Sequence, residues 1–398
     1  MLDVPETPAY VYDLAEVRSS VARLTAALPT PTGLYYSLKA NPHPAVLETL
    51  RAAGVAPEVC SRGELDAALV AGWSAAEVLY TGPGKRDDDV LHALTSGVRE
   101  FCVDSPHGLD QLSTLASSVD ASVRTLLRVN DDVPIGGQGL AMTGVASQFG
   151  ADTGWIVSAP EDFGDRPGVH VAGLHLYMGT NVDSVAALLA QFTRSLETVA
   201  LVSKALAPYV GDLEVIDLGG GFAAPFARPG PPADLTGLRA GLVDLLDGHL
   251  PGWRSREPFV TFESGRHLVG TAGTLVVRVL DVKRSHGREV VVLESGINHL
   301  GGMSGLRRLP PINPTFTVQG TTPTIVTGPL CTPLDTWSKT APLPPLSVGD
   351  VVTIPNVGAY GLYASLIAFL GHPCPVEVAI DGDQPPHVSR LTLTRRTP

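Results

Sequence analysis

Several side chains that could bind a ligand or take part in catalysis lie at the ends of predicted β-strands. Lys39 follows the run LYYSL, and Glu263 and Arg266 follow the run FVTF. Burial of a lysine amine at a strand end lowers its pKa and prepares it to react with carbonyl groups. A carboxylate and a guanidinium at a second strand end place an acid and a base together. Each group also has a plainer interpretation, a surface lysine in the first case and a simple ion pair in the second.

A glycine triplet, Gly219, Gly220 and Gly221, follows the run EVIDL. Glycines let backbone amides approach a phosphate, although a tight turn explains such a triplet about as often. Pyridoxal 5′-phosphate (PLP) requires an anion cradle, a lysine for its aldehyde and an acid for its pyridine nitrogen. These residue types therefore predict a PLP site, provided that the strand ends lie together.

Eight short apolar or β-branched runs alternate with amphipathic stretches, a pattern typical of parallel strands covered by helices. The predicted strands lie at 34–40, 56–60, 78–82, 100–105, 124–130, 171–179, 214–221 and 259–265. Eight successive β/α units favour a closed (β/α)8 barrel, which carries active sites at the carboxyl ends of its strands and often binds phosphate after strands seven and eight. The predicted barrel thus gathers Lys39, the glycine triplet and Glu263 at one mouth.

Beyond residue 270 the chain turns to Val-, Thr- and Pro-rich runs with few helical stretches. This change predicts a β-rich C-terminal domain. We assign 28–270 to the PLP-binding barrel and 1–27 plus 271–398 to the β domain, since the opening run AYVYDL is suited to pair with it. The stretch 131–168, rich in Gly, Ser, Asp and Pro, is expected to be a long excursion after strand five.

The composition of the 398-residue chain argues against several classes of function. Its formal net charge is −12, whereas nucleic-acid binding requires clustered Lys and Arg. The four cysteines, Cys60, Cys102, Cys331 and Cys374, are dispersed, so they predict neither a metal site nor disulfides and suit a reducing cytoplasm. Neither a signal peptide nor a membrane span is expected from the N-terminal sequence and the short apolar runs.

Six motifs resemble those of the fold-type III PLP-dependent decarboxylases, the family that includes diaminopimelate, ornithine and arginine decarboxylases. The resemblance covers essentially the whole chain. The motifs are YSLKAN (36–41), SRGEL (61–65), DLGGGF (217–222), ESGR (263–266), GPLCTPLD (328–335) and VGAYG (357–361). Six motifs in the family's order are specific, whereas any one of them would not be.

The resemblance implies a role for each motif. Lys39 would hold PLP as a Schiff base, Glu58 would lie near the imine, and Glu263 would partner the pyridine nitrogen. The phosphate would be bound by Gly219, Gly220, Gly221, Arg266 and Tyr360.

Cys331 would be the general acid that protonates the substrate carbon, reaching in from a second subunit. The resemblance therefore implies a homodimer with shared active sites. The alternative for Cys331 is a small buried apolar residue.

Two departures from the family pattern bear on the ring and on the substrate. The family's GxHxHxGS segment reads GLHLYMGT here, so His175 is kept and Tyr177 takes the place of the histidine that stacks on the ring. Tyr177 is expected to stack there, with a packed core tyrosine as the alternative. Thr332 follows Cys331, where decarboxylases of basic amino acids have an acid for the distal ammonium.

The loss of that acid makes lysine, ornithine and diaminopimelate poorer substrates. The segment 294–310 resembles branches of the family that act on carrier-bound aminoacyl groups or on intermediates of siderophore and antibiotic biosynthesis. Thr332 and Asp335 are expected to contact substrate, and Arg307 and Arg308 could receive a carboxylate or phosphate. Two solvated loop arginines are the alternative.

The sequence thus predicts a PLP-dependent decarboxylase for an amino acid with an acylated, carrier-tethered or acidic distal group. Diaminopimelate decarboxylase is the alternative. A PLP-dependent racemase is disfavoured by GPLCTPLD, and a non-enzymatic PLP carrier by the β domain.

Overall fold

The computed structural model describes residues 4–133, 143–301, 312–395 and 397. Contacts divide the chain into two compact units, one of Met1–Ser19, Ala224–Pro232 and Val269–Pro398, the other of Ser20–Ala223 and Ala233–Leu268. The chain opens with β1 (Ala9–Asp13) and α1 (Leu14–Ala27). The domain boundaries expected from the sequence stay predictions.

The second unit is a barrel of parallel strands. Pairing runs β5-β4-β3-β2-β10-β9-β8-β6-β7, and a further pairing of β5 with β6 closes the ring through eight strands, with β7 outside it. The strands are β2 (Gly33–Ser37), β3 (Ala56–Val59), β4 (Leu79–Tyr80), β5 (Glu100–Val103), β6 (Val123–Asn130), β7 (Ala151–Asp152), β8 (Val169–Leu176), β9 (Val215–Asp217) and β10 (Phe259–Ser264).

Helices alternate with these strands, and serine caps begin several of them. The side chains of Ser61, Ser105 and Ser184 accept the amides of the third residue beyond each, which satisfies groups that a helix start leaves unpaired. The helices are α2 (Pro44–Ala52), α3 (Arg62–Val70), α4 (Asp87–Ser96), α5 (Pro106–Ser118), α6 (Thr153–Ser158), α7 (Val185–Val210), α8 (Leu238–His249) and α9 (Arg266–Val269).

α7 is, among the described residues, the one helix whose length and apolar content would suffice to cross a membrane. Its buried residues Leu188, Phe192, Leu196 and Val199 recur every three or four positions, the spacing of a helix that covers a core. The Phe192 ring lies 5.5 Å from that of Phe262 on β10. We therefore interpret α7 as a covering helix of the barrel.

The first unit is a β domain with strand order β14-β13-β12-β11-β1-β16-β17 and β15 paired to β11. β1 runs antiparallel to β11 and parallel to β16. The strands are β11 (Gly273–Ser285), β12 (Arg288–Leu293), β13 (Thr322–Thr327), β14 (Thr336–Leu343), β15 (Val351–Pro355), β16 (Val376–Ile380) and β17 (His387–Arg390).

The predicted fold class is confirmed, since a closed eight-stranded parallel barrel and a β-rich second domain are both present. Several strands are shorter than expected, and β4 has two residues where the sequence predicted five. The excursion after β6 contains β7 and α6, two short elements that its polar composition concealed. Periodicity located the strands but not their ends, because strand length depends on pairing with neighbours.

Apolar side chains fill the middle of the barrel. Leu79, Cys102, Leu126 and Val215 form a buried cluster against which Tyr35 packs. Gly173 on β8 lies in the same region, and a Cβ there would be 2.0 Å from the Val215 carbonyl oxygen. The absence of a side chain at residue 173 therefore allows the strands to close around this cluster.

Gly173→Ala is expected to destabilise the barrel, because the added methyl would meet backbone that cannot rotate away. Overpacking of this kind costs about 1–3 kcal/mol. The matched control is Gly248→Ala in α8, where a Cβ meets nothing within 4 Å and helix propensity favours alanine. Denaturant midpoints measure both variants, and equal midpoints would contradict the role given to Gly173.

Candidate active site

Lys39 lies in a single helical turn, Leu38–Ala40, directly after β2. Its Nζ is 3.6 Å from Oε2 of Glu58 and 3.9 Å from Sγ of Cys60, both near the carboxyl end of β3. The Lys39 side chain is 45% exposed, whereas that of Glu58 is 2% exposed. The amine therefore stands at the barrel mouth, accessible to a carbonyl compound and held by a buried carboxylate.

The charge of Lys39, helped by hydrogen bonds, keeps Glu58 ionised. Its Oε1 accepts from the Thr81 hydroxyl and from Sγ of Cys60, the latter at 3.2 Å. Burial alone would raise the pKa of Glu58, but the charge of Lys39 and these neighbouring donors lower it to about 2. Burial and the Glu58 charge raise the pKa of the Cys60 thiol, so Cys60 acts here as a neutral donor. The Lys39 ammonium thus faces a permanent negative charge.

A second buried cluster lies at the ends of β8, β9 and β10. It consists of His175, Asp217 and Glu263, each no more than 2% exposed, whose nearest polar atoms all lie within 4.8 Å of one another. His175 Nε2 is 3.3 Å from Glu263 Oε1, and its Nδ1 is 3.2 Å from Sγ of Cys102. Charge pairing accounts for this spacing, and the expectation that the chain binds no metal stays a prediction.

Opposing charges set the protonation of this cluster. Burial disfavours the imidazolium, but the Glu263 carboxylate and the Cys102 contact raise the pKa of His175 well above its usual value. Burial raises the pKa of Asp217 to about 7, and the charge of Glu263 adds to the effect. The His175 imidazolium is therefore the positive charge that Asp217 and Glu263 share within this cluster.

The glycine triplet forms a close-fitting loop after β9. Its three carbonyl oxygens accept from the Glu263 amide, from Gln191 Nε2 and from the Val182 amide, each at 2.8 Å. The amides of Gly220 and Gly221 have no acceptor among the described residues. A Cβ on Gly220 would lie 2.0 Å from the Glu263 carbonyl oxygen, so only glycine fits. Two backbone donors are thus available beside the buried acid.

Tyr177 and Arg266, two further predicted residues, also belong to the barrel unit. Tyr177 packs on it, since a Cβ on Gly219 would lie 2.9 Å from the Tyr177 ring. Arg266 begins α9, three residues after Glu263. The structure therefore brings the glycine loop, Tyr177, His175 and Glu263 together in the barrel unit.

The predicted residues of the β domain lie on two loops. Cys331 is exposed, Thr332 is half-buried and Asp335 is buried in the loop between β13 and β14. Tyr360 has φ 54°, a left-handed backbone that non-glycine residues rarely adopt and that is enriched at functional sites. Hydrogen bonds from Val357 and Gly358 to the segment 270–273 hold the Tyr360 loop in place.

The contact of Asp335 with substrate stays a prediction, and the structure shows its carboxylate bound to the backbone. Its Oδ1 accepts the Ile297 amide and its Oδ2 the Leu330 amide, both at 2.8 Å. The carboxylate is thus bound to the backbone on both oxygens. Arg307 and Arg308 lie outside the described residues.

Sequence reasoning missed Asp217, Thr81 and Cys60. Asp217 stands in the DLGGGF motif, but attention to the glycines concealed it. Thr81 and Cys60 gave no signal, because their roles arise from contact with Glu58 across neighbouring strands.

Comparisons with known proteins agree with this geometry. Residues 14–270 match the family described as pyridoxal-dependent decarboxylase, pyridoxal binding domain. The chain is 31% identical over 387 residues to a decarboxylase of L-glutamyl-BtrI acyl-carrier protein from Niallia circulans, covering 94% of this chain and 88% of the relative. It is 29% identical over 384 residues to 2-((L-alanin-3-ylcarbamoyl)methyl)-2-hydroxybutanedioate decarboxylase from Staphylococcus aureus, covering 92% of each.

A solved structure shares the fold. A mutant of diaminopimelate decarboxylase from Helicobacter pylori, in complex with L-lysine, superimposes with a TM-score of 0.83 at 24% identity, covering 97% of this chain and 94% of that one. This likeness shows that the two chains share their architecture.

The described residues fit PLP. The amides of Gly220 and Gly221 offer a phosphate two donors where no side chain would fit, Lys39 offers an accessible amine, and Glu263 offers a buried acid. The family match covers more than half of the chain and includes all of these groups. The chain therefore belongs to the family of pyridoxal-dependent decarboxylases, enzymes that use PLP to remove a carboxyl group from an amino acid.

Proposed function

We propose that this enzyme removes the α-carboxylate of an amino acid whose distal end is acylated, tethered to a carrier protein or acidic. The proposal places it in specialised metabolism, such as siderophore or antibiotic biosynthesis. Diaminopimelate decarboxylation is the alternative. Family membership favours decarboxylation over the racemase and carrier hypotheses.

The observation that supports this proposal most directly is that the Asp335 carboxylate is buried and bound by backbone amides. Asp335 is the one acid in GPLCTPLD, and it is 2% exposed with both oxygens bound by backbone amides. The segment thus offers no free carboxylate to a distal ammonium. Thr332, in the place of the family's acid, uses its hydroxyl to accept the Leu334 amide at 3.3 Å.

The absence of a free carboxylate in GPLCTPLD disfavours substrates with a distal ammonium, for an electrostatic reason. A distal ammonium that leaves water without a counter-charge loses solvation that nothing restores. An amide or a thioester is neutral and carries no such penalty beside Thr332. A carboxylate meets no repulsion there, but it also needs a counter-charge. Arg307 and Arg308 are proposed to receive a carboxylate there, because guanidinium groups bind carboxylates with paired donors.

The two relatives compared above support the same preference. One acts on a glutamyl group carried by a protein, and the other acts on an alaninyl group joined through an amide to a hydroxy-dicarboxylate. Neither named substrate ends in an ammonium group. Their shared chemistry matches a site that lacks a distal carboxylate.

The barrel residues would bind and orient PLP. Lys39 would hold the aldehyde carbon beside Glu58, while Gly219, Gly220, Gly221, Arg266 and Tyr360 would hold the phosphate. Tyr177 would stack on the ring, and Glu263, paired with His175, would keep the ring nitrogen protonated. When bound, PLP supplies a sink for the electron pair that remains at the α-carbon as CO₂ leaves.

Cys331 would return a proton to the α-carbon. Its exposed position on the loop between β13 and β14 supports access from outside its own chain. We propose that it acts in the active site of a partner subunit, so that the enzyme is a homodimer with shared sites. The proposed compartment is the cytoplasm, where the four cysteines would stay reduced.

The purified protein is expected to be yellow, and Lys39→Ala should lose the colour because the Schiff base requires that amine. The matched control is Lys204→Ala, which removes an exposed lysine from α7. Absorbance spectra before and after borohydride reduction measure the adduct. A reducible adduct that persists in Lys39→Ala would refute the assignment.

Cys331→Ala should slow decarboxylation or divert it to transamination while PLP stays bound, since a positioned general acid contributes about 10²–10⁴-fold. Mixing Lys39→Ala with Cys331→Ala chains should restore part of the activity through hybrid dimers. Each variant alone is the control. Hybrid dimers that are verified by differential tags and stay inactive would rule out a shared site.

Wild-type enzyme should release CO₂ slowly from lysine, ornithine and diaminopimelate, and faster from a glutamyl thioester or an amide-linked substrate. Thr332→Asp should raise kcat/KM for the basic substrates by about tenfold, because a new ion pair compensates the lost solvation. Thr332→Asn is the matched neutral control. Ordinary efficiency of the wild type on meso-diaminopimelate would show the substrate proposal to be wrong.

A further inference from the structure

Asp217 connects the glycine loop to the buried charges behind it. It is the last residue of β9 and is 0% exposed. Its Oδ1 accepts the Gly219 amide at 2.7 Å, while its Oδ2 has no hydrogen-bond partner among the described residues. A carboxyl group so deeply buried, with one oxygen unpaired, is costly when ionised.

The charges around Asp217 do not balance. His175 faces it from β8, Glu263 and the Thr261 hydroxyl face it from β10, and the Gly219 amide faces it from the loop. Tyr35 on β2 is near enough that the Asp217 charge helps to raise the pKa of its phenol. Cys102 on β5 contacts the far side of His175. If both acids ionised, one imidazolium would stand against two carboxylates.

A second buried cation would correct this imbalance. PLP bound as proposed would place a protonated pyridine nitrogen at Glu263, and the cluster would then hold two carboxylates, one imidazolium and one pyridinium. We propose that Asp217 is a positioning residue that holds a proton in the cofactor-free enzyme and releases it when PLP binds. The proton would pass to solvent as the protonated ring pairs with Glu263, which leaves the cluster neutral. This inference rests on the proposed pairing of Glu263 with the ring.

The number of protons exchanged when PLP binds is the quantity that tests this inference. Burial and the Glu263 charge raise the pKa of Asp217 to about 7, so the cofactor-free carboxyl is more fully protonated at pH 6 than at pH 8. The proton count for PLP binding should therefore contain a part from Asp217 that shrinks as the pH rises. An aspartate with a purely structural role would not change its protonation, so it would not add to the number of protons exchanged on PLP binding.

Calorimetric titration of PLP into the stripped full-length enzyme, in two buffers of different ionisation enthalpy, gives the number of protons exchanged. Compared with Asp217→Asn, which stays neutral but still accepts the Gly219 amide, the wild type should release more protons at pH 6, and this excess should shrink towards pH 8. Contributions from Lys39 and from PLP itself cancel in the difference. Equal proton counts at both pH values would overturn the inference.

Thr261→Val provides the second variant if Asp217→Asn fails to fold. The Thr261 hydroxyl faces Asp217 without meeting hydrogen-bond geometry, and its dipole lowers the pKa of that carboxyl. Its removal should therefore raise the pKa of Asp217 and increase proton release at pH 7 relative to wild type. An unchanged count would again contradict the inference. Glu263→Gln separates the two proposals, because undiminished PLP affinity in that variant would contradict the role given to Glu263, whereas the Asp217→Asn comparison tests Asp217 alone.

Discussion

The pairing of buried carboxylates with a small number of cations is the constraint on which this site depends. Glu58, Asp217 and Glu263 all lie inside the barrel at no more than 2% exposure, where an uncompensated charge is severely destabilising. Glu58 is matched by Lys39 and by hydroxyl and thiol donors. Asp217 and Glu263 share His175. The first group has its charge balanced within the chain, and we propose that the second is completed by a cation from the cofactor ring.

Strand geometry makes this pairing possible. Alternate residues of parallel strands point into the barrel, so groups from adjacent strands meet at the same level. An apolar layer around Leu126 and Val215 fills the middle, and the titratable groups lie at the carboxyl ends of the strands. Gly173 leaves room for the apolar layer, and Gly220 lets the loop after β9 approach the Glu263 backbone. The buried carboxylates and His175 are therefore held by strands, and Lys39 is held by the helical turn directly after β2.

The substrate preference that we propose depends on a different set of contacts. In the β domain the one acid of GPLCTPLD has its oxygens bound to the amides of Ile297 and Leu330, so its carboxyl group stabilises the loop. Burial raises the pKa of Asp335, and these amide bonds act against that shift. The same residue type that would recognise an ammonium in an open pocket serves here as an anchor for the segment that presents Cys331 and Thr332.

The sequence by itself determined the barrel, the β-rich domain, the cofactor and the family, because hydrophobic periodicity and six ordered motifs are local properties of the chain. It also placed Lys39, the glycine triplet and Glu263 at strand ends. Only the tertiary structure decided that Asp335 faces backbone amides, that Thr81 and Cys60 hold Glu58, and that Asp217 shares His175 with Glu263. These contacts join residues far apart in the chain, and the charge state of a buried group depends on the neighbours that folding brings to it.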